Sequence, residues 1–151
     1  MEYLPVCLKL TGERVLLVGA GTVATRKARL LRRAGAHLDV VAPDMEPGLR
    51  DLLGDACRWR EGEYCEADLD GVSIVVAATA SDAVNREVSA DAQRRALPVN
   101  VVDAPAMCTY IFPAIIDGDP VILAVSSGGR SRVLSRILRR KIEAMVPAAY
   151  G

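Results

Sequence analysis

Three groups of residues have the type and spacing that chemistry requires. The first is the turn Gly19-Ala20-Gly21-Thr22-Val23-Ala24, entered directly from the apolar run Val15 to Val18. It matches G-x-G-x-x-G/A in a strand-turn-helix setting, the setting in which that pattern has a mechanism. Gly19 permits the tight turn, and Gly21 lets backbone N–H groups approach a pyrophosphate. Ala24 lets helix and strand pack closely, while the helix N-terminus favours the anion. The competing reading is a glycine turn of an α/β fold that binds nothing. The second group is one carboxylate, Asp103, set in NVVDAP at the end of a predicted strand. It can accept a proton from a substrate, or it can cap the strand end, and the residues alone leave both open. The third is SSGGRS, Ser126 to Ser131, ahead of a helix carrying Arg132, Arg136, Arg139, Arg140 and Lys141. Hydroxyls and glycines before a helix N-terminus suit an anion, and Ser126, Ser127, Gly128 and Arg130 suit a polycarboxylate. The later arginines read equally as a solvated helix face.

Other chemistries lack their residues. No tyrosine stands four residues before a lysine, as short-chain dehydrogenase chemistry needs, and the single His37 cannot serve a Ser or Cys triad or complete a zinc set. His37, just before a predicted strand, reads as structural, and no metal site is expected. Cys7, Cys57, Cys65 and Cys108 show no C-x-x-C spacing and are expected as reduced, mostly buried thiols, with a Cys57–Cys65 pair as the alternative.

The elements that position these groups follow from the apolar pattern. At 151 residues, 51% hydrophobic but only 4% aromatic, the chain suits one aliphatic core built on a parallel sheet, with room for a small appendage. Nineteen basic and nineteen acidic residues cancel, so charge gives no case for nucleic acid or an anionic membrane. No segment approaches the roughly 20 apolar residues of a membrane span, and the start, MEYLPVCLKL, lacks a signal-like core. The expectation is a cytoplasmic protein.

Val6, Leu8 and Leu10 alternate as an edge strand or arm. After the glycine turn a helix places Val23, Leu30, Leu31 and Ala34 inward and ends at Gly35. Strands are predicted at Leu38 to Val41, around Cys57 to Arg60, at Val72 to Ala78 and at Val99 to Val102. Helices are predicted at Glu46 to Leu53 and from Ser81-Asp82 to about Arg95, the latter with Val84, Val88 and Ala92 inward. This alternation implies a Rossmann-like doubly wound parallel sheet whose ligand crevice lies beyond the strand carboxyl ends. Thr22, Pro43, Thr79 and Asp103 fall at those ends. The expected cofactor-binding set is therefore Gly19, Ala20, Gly21, Thr22, Val23, Pro43, Asp44 and Thr79. After Pro105 the pattern changes to a hairpin, Tyr110 to Ile116 and Val121 to Val125 around Asp117-Gly118-Asp119-Pro120, followed by a helix with Val133, Leu134, Ile137, Leu138, Ile142 and Met145 apolar. One hairpin and one helix cannot bury that face, so a second copy is expected to cover it in a homodimer. The expected division is 1–112 for the NAD-binding domain and 113–151 for a small α+β subdomain for dimerisation and substrate.

The segments LPVCLKLTGERVLLVGAGTVATRKARLLRRAGA, VVAATASDAVNREV and NVVDAPAMCTYIFPAIIDGDPVILAVSSGGRSRVLSRILRRKIE are similar to the precorrin-2 dehydrogenase family, the amino-terminal module of siroheme synthases. NVVDAP and VSSGG, in this order after the glycine turn, are the most specific pieces. The resemblance implies NAD-dependent oxidation of precorrin-2 to sirohydrochlorin by an interlocked homodimer, with Asp103 matching the family's essential aspartate. It also implies that Ser126, Ser127, Gly128 and Arg130 hold carboxylates of the tetrapyrrole. In some relatives the module also inserts iron. Two departures stand out. The acidic residue usual at the end of the second strand is replaced by Val41-Ala42-Pro43, with Asp44 slightly late, and no Arg is there to take a 2′-phosphate, so NAD is expected rather than NADP. Relatives also continue beyond Glu143 into a helical domain, whereas this sequence ends at Gly151, as a truncated piece or a minimal protein would. The alternatives carried forward are an NAD(H)-sensing module without catalysis and a chelatase that has lost dehydrogenation.

Overall fold

The computed structural model describes residues 2–53, 57–118 and 121–145. They form two compact units, Val6–Tyr110 and Ile111–Gly151 with Met1–Pro5. The expected division at 112/113 thus differs in two ways: the second unit starts at Ile111, and it takes the first residues of the chain.

The larger unit runs β1 (Arg14–Val18), α1 (Thr22–Arg33), β2 (His37–Ala42), α2 (Pro47–Leu53), β3 (Arg58–Glu61), β4 (Ile74–Ala77), α3 (Asp82–Arg94) and β5 (Val99–Val101). The strands form one parallel sheet in the order β3-β2-β1-β4-β5. Because side chains alternate across a strand, two cores result. Leu16, Val18, Val41, Val75, Ala77, Val99 and Val101 are buried with Val88 and Ala92 of α3 and with Leu69 and Val72. Val15, Leu17, Leu38, Val40 and Val76 face the other way, where α1 and α2 bury Ala24, Ala28, Leu31, Leu49 and Leu53.

Helix α1 differs from its apolar pattern. Its buried residues are Ala24, Thr25, Ala28 and Leu31. Val23 and Leu30 are only half-buried, and Ala34 is exposed. A helix that leaves a glycine turn and folds straight back onto its strand approaches closely, so the innermost positions go to small side chains. Helix α3 deviates likewise: Asn85, Val88, Ser89 and Ala92 are buried, whereas Val84 is half-buried. The amino-terminal stretch forms no strand, and Val6 and Leu8 are exposed, so it is an arm. Where a longer helix would otherwise link β3 to β4, only a short 3₁₀ turn, Glu66–Leu69, intervenes. Ion pairs fasten it, with Arg60 to Asp68 at 2.5 Å and Arg94 to Glu66 at 3.3 Å.

The smaller unit pairs β6 (Ala114–Gly118) with β7 (Val121–Val125) antiparallel and adds α4 (Arg132–Met145). The hairpin's first strand starts at Ala114 rather than Tyr110 and continues through Asp117 and Gly118, which were expected in the turn but pair with Ile122 and Val121; Asp119 and Pro120 of that turn lie outside the described residues. Helix α4 docks through Ser135, which is buried, and Arg139, whose Nε donates to the Ile115 carbonyl at 2.9 Å. Its apolar side is left outward: Val133, Leu134, Ile137, Leu138 and Met145 are all exposed. No helix among the described residues is long and apolar enough to cross a membrane.

Leu16 lies fully buried in the α3-side core. Leu16→Ala is expected to lower unfolding free energy by about 3 kcal/mol, read from the urea midpoint at unchanged m-value.

Candidate functional site

Parallel strands present their carboxyl ends along one sheet edge, and the turn Gly19-Ala20-Gly21 follows the end of β1 there. The turn is tied on both flanks. Gly19 N donates to the Val41 carbonyl of β2 at 2.8 Å, Ala78 N donates to Val18 at 2.8 Å, and Glu46 N donates to Ala20 at 3.0 Å. Gly19 adopts φ +99, and a Cβ built on it would lie 2.5 Å from the Ala78 carbonyl oxygen. It is glycine because the backbone beyond β4 fills the space of a side chain.

Gly21 differs. Its φ of −87 is open to any residue, and a Cβ there would meet nothing within 4 Å. No contact among the described residues therefore accounts for glycine at that position, whereas a pyrophosphate lying over the turn would. The start of α1 agrees: its N-cap, Gly21, makes no side-chain cap bond, and the first turn carries no acid. The N–H groups opened there by Thr22 and Val23 suit a bound anion. The residues fit a dinucleotide.

Pro43 and Asp44 follow β2 and are exposed. Asp44 Oδ1 accepts from Met45 N at 2.8 Å, so one carboxylate oxygen stabilises the local turn. Thr79, after β4, is held by a residue missed in the sequence. Its hydroxyl donates to Asn85 Oδ1 at 2.9 Å, and Asn85 Nδ2 donates back to the Thr79 carbonyl at 3.1 Å. Asn85 shares a helical face with Val88 and Ala92, and a polar residue on a buried face was the available signal.

Asp103 follows β5 by two residues. It is exposed at φ +63, a left-handed backbone that is uncommon outside glycine, though Asp tolerates it better than most. Such a conformation persists only where its surroundings impose it. Val102 N donates to Ala77 at 2.9 Å, which holds the departing chain against the end of β4. Strands β1 and β5 flank β4, so the glycine turn and Asp103 rise from strands about 10 Å apart.

The other expected groups stand elsewhere. His37 begins β2, at the opposite end of the sheet from the turn. All four cysteines are free thiols, which removes the Cys57–Cys65 alternative, but Cys7 and Cys65 are exposed rather than buried. Burial and then the Asp39 charge push the Cys57 thiol up to about 11. In the smaller unit, Ser126 and Ser127 fold their own loop. Gly128 N donates to Ser126 Oγ at 3.1 Å and Ser131 N donates to Ser127 Oγ at 2.8 Å, while Ser131 Oγ caps α4 by accepting from Leu134 N at 3.1 Å. Arg130 is exposed beside them.

A parallel sheet in this order, with a glycine turn opening onto an uncapped helix, defines a dinucleotide-binding α/β protein. A family model described as "Putative NAD(P)-binding" matches residues 6–114, and the chain belongs to that family. Over its full length the chain is 56% identical to a siroheme synthase of Pseudomonas fluorescens (strain Pf0-1), covering 33% of that protein. It is 50% identical to a siroheme synthase of Azotobacter vinelandii, again covering 33%. The chain thus spans about a third of the length of these curated relatives. A solved structure of SirC, a precorrin-2 dehydrogenase, superposes with a TM-score of 0.86 at 29% identity, covering 98% of this chain and 73% of that one. These likenesses bear out the resemblance drawn from NVVDAP and VSSGG, and with it the Rossmann-like fold.

The two glycines should separate fold from ligand. Gly19→Ala is expected to lower stability by about 2 kcal/mol or more, through the clash and the positive φ. Gly21→Ala should leave unfolding within about 0.5 kcal/mol of wild type yet weaken dinucleotide binding about tenfold, measured by titration calorimetry.

Proposed function

We propose that the chain is the dehydrogenase module that oxidises precorrin-2 to sirohydrochlorin with NAD, in siroheme formation. The observation that carries this reading is Asp103, held at φ +63 on the same sheet edge as the glycine turn. The oxidation removes two electrons and two hydrogens from the macrocycle. NAD supplies a hydride acceptor, taking one hydrogen and both electrons from a C–H bond. The second hydrogen leaves as a proton, and Asp103 is the base that receives it. The turn residues Gly19 to Val23 orient the pyrophosphate, with Pro43, Asp44 and Thr79 lining the nucleotide's path at the ends of β2 and β4. The lack of an arginine directly after β2 supports NAD over NADP. For the carboxylates of the substrate we propose Ser126, Ser127, Gly128 and Arg130. The guanidinium supplies paired donors, and the serines shape the loop that presents them. The four free thiols support a cytoplasmic setting.

The working unit is a homodimer. Helix α4 exposes Val133 at 57%, Leu134 at 48% and Ile137 at 46%, and β7 exposes Ile122 at 63%, large apolar side chains that suit a second copy of the same surface. Ile137→Glu is expected to convert the dimer to monomer in sedimentation velocity at micromolar protein. A monomeric wild-type chain would refute the assembly.

For the chemistry, Asp103→Asn keeps the shape and removes the base. Under anaerobic conditions with precorrin-2 and NAD, kcat is expected to fall about 100-fold or more, while the NAD dissociation constant stays within about twofold. Near wild-type turnover in Asp103→Asn would remove Asp103 from the mechanism.

A further inference from the structure

The chain reverses between β5 and Tyr110 in a loop whose second residue is Asp103. Strand β5 ends the sheet, so Val99 and Val101 direct N–H groups outward, where no sixth strand among the described residues receives them. Side chains of the returning segment receive them instead. Val99 N donates to Thr109 Oγ1 at 2.8 Å, and Val101 N donates to Cys108 Sγ at 3.1 Å. The Cys108 thiol lies 3.2 Å from the Val101 carbonyl and 3.4 Å from that of Ala104, so its single proton has an acceptor on either side of Asp103. Asn100 Nδ2 reaches the same sulfur at 3.6 Å and the Tyr110 carbonyl at 3.0 Å. From α3, the buried Ser89 hydroxyl donates to the Met107 carbonyl at 2.7 Å, pinning the 3₁₀ turn Pro105–Met107 from its other side.

We propose that Cys108 is a positioning residue: its sulfur closes the neck of the loop and thereby holds Asp103 in the left-handed conformation from which it takes the substrate's proton. Burial also pushes the thiol up, so it keeps the one proton it can donate to either carbonyl. A left-handed aspartate tends to relax toward ordinary backbone once its neck opens, and the carboxylate then points elsewhere. Cys108 touches neither nucleotide nor substrate in this scheme, and its effect passes through Asp103. The catalytic half of the proposal rests on the dehydrogenase reading, whereas the clamp itself does not.

The test uses the full chain with Cys108→Ala, Cys108→Ser and Ser89→Ala, in two readouts. Amide hydrogen exchange by NMR is expected to show Val101 and Ala104 exchanging about tenfold faster in Cys108→Ala, with β1 and β4 unchanged, and largely protected again in Cys108→Ser, whose hydroxyl can donate and accept. Steady-state oxidation should then show kcat down about tenfold in Cys108→Ala, KM and NAD affinity within about twofold, and recovery to within about threefold in Cys108→Ser. Ser89→Ala should have a smaller effect in the same direction. Unchanged exchange at Val101 and Ala104 in Cys108→Ala overturns the clamp. Faster exchange with unchanged kcat overturns its catalytic role, as does a loss of kcat matched by an equal loss of NAD binding. If the wild-type chain oxidises no precorrin-2 while exchange responds as expected, the dehydrogenase reading fails and the clamp stands.

Discussion

The architecture depends on a backbone contact that leaves no room for a carbon atom. The carbonyl of Ala78, leaving β4, occupies the position of a side chain on Gly19, leaving β1. That contact brings the two strand ends together with nothing between them, and it forces α1 to turn back at once. It also explains why α1 packs through Ala24 and Ala28, since a helix begun this close to the sheet has space only for methyl groups. The consequence for function is an anion-receptive helix start placed on the sheet edge and unobstructed by its own side chains. Gly21, where a side chain would meet no atom of the described residues, leaves that space open to a bound dinucleotide.

A second constraint operates at the far side of β4. A sheet that stops at β5 must deal with its outer edge, and here the edge is closed by a returning loop rather than by a sixth strand. Edge closure and placement of Asp103 are therefore one device. A loop free of edge duties would have fewer bonds to impose a left-handed aspartate. The same economy is seen in Thr79 and Asn85, where a buried amide from α3 satisfies the backbone as it leaves β4.

Much of this was legible in the residues. The continuous apolar run around Val75 marked a strand buried on both faces, and the alternation of strands and helices led to a doubly wound parallel sheet. The glycine turn, Ser81 as a helix cap and the two strand-end groups Thr79 and Asp103 could also be read. What escaped depended on distances between elements. The close packing of Ala24 was expected from the glycine turn, but apolar periodicity also favoured Leu30 and Ala34 as inward residues of α1, where the tightness of the turn decided for Thr25 and Ala28. Asn85 went unremarked because a polar residue gives no apolar signal, although its spacing from Val88 and Ala92 put it on the buried face. Cys108 looked like an inert buried thiol, because the N–H groups it serves are needed only once β5 is known to be the edge. The loop of Ser126 and Ser127 read as a set of donors. Its serines instead accept bonds from their own loop, which depends on a backbone path that composition does not reveal.

The central claim is that a macrocycle C–H bond delivers its hydrogen to the dinucleotide while a proton leaves through Asp103. The most direct measurement is isotopic. Precorrin-2 deuterated at the carbon that is oxidised would be incubated anaerobically with NAD and the wild-type chain, and the products analysed by mass spectrometry. The account predicts one deuterium in NADH for each sirohydrochlorin formed, with none exchanged into water. Deuterium recovered in solvent, or sirohydrochlorin formed without labelled NADH, would contradict it.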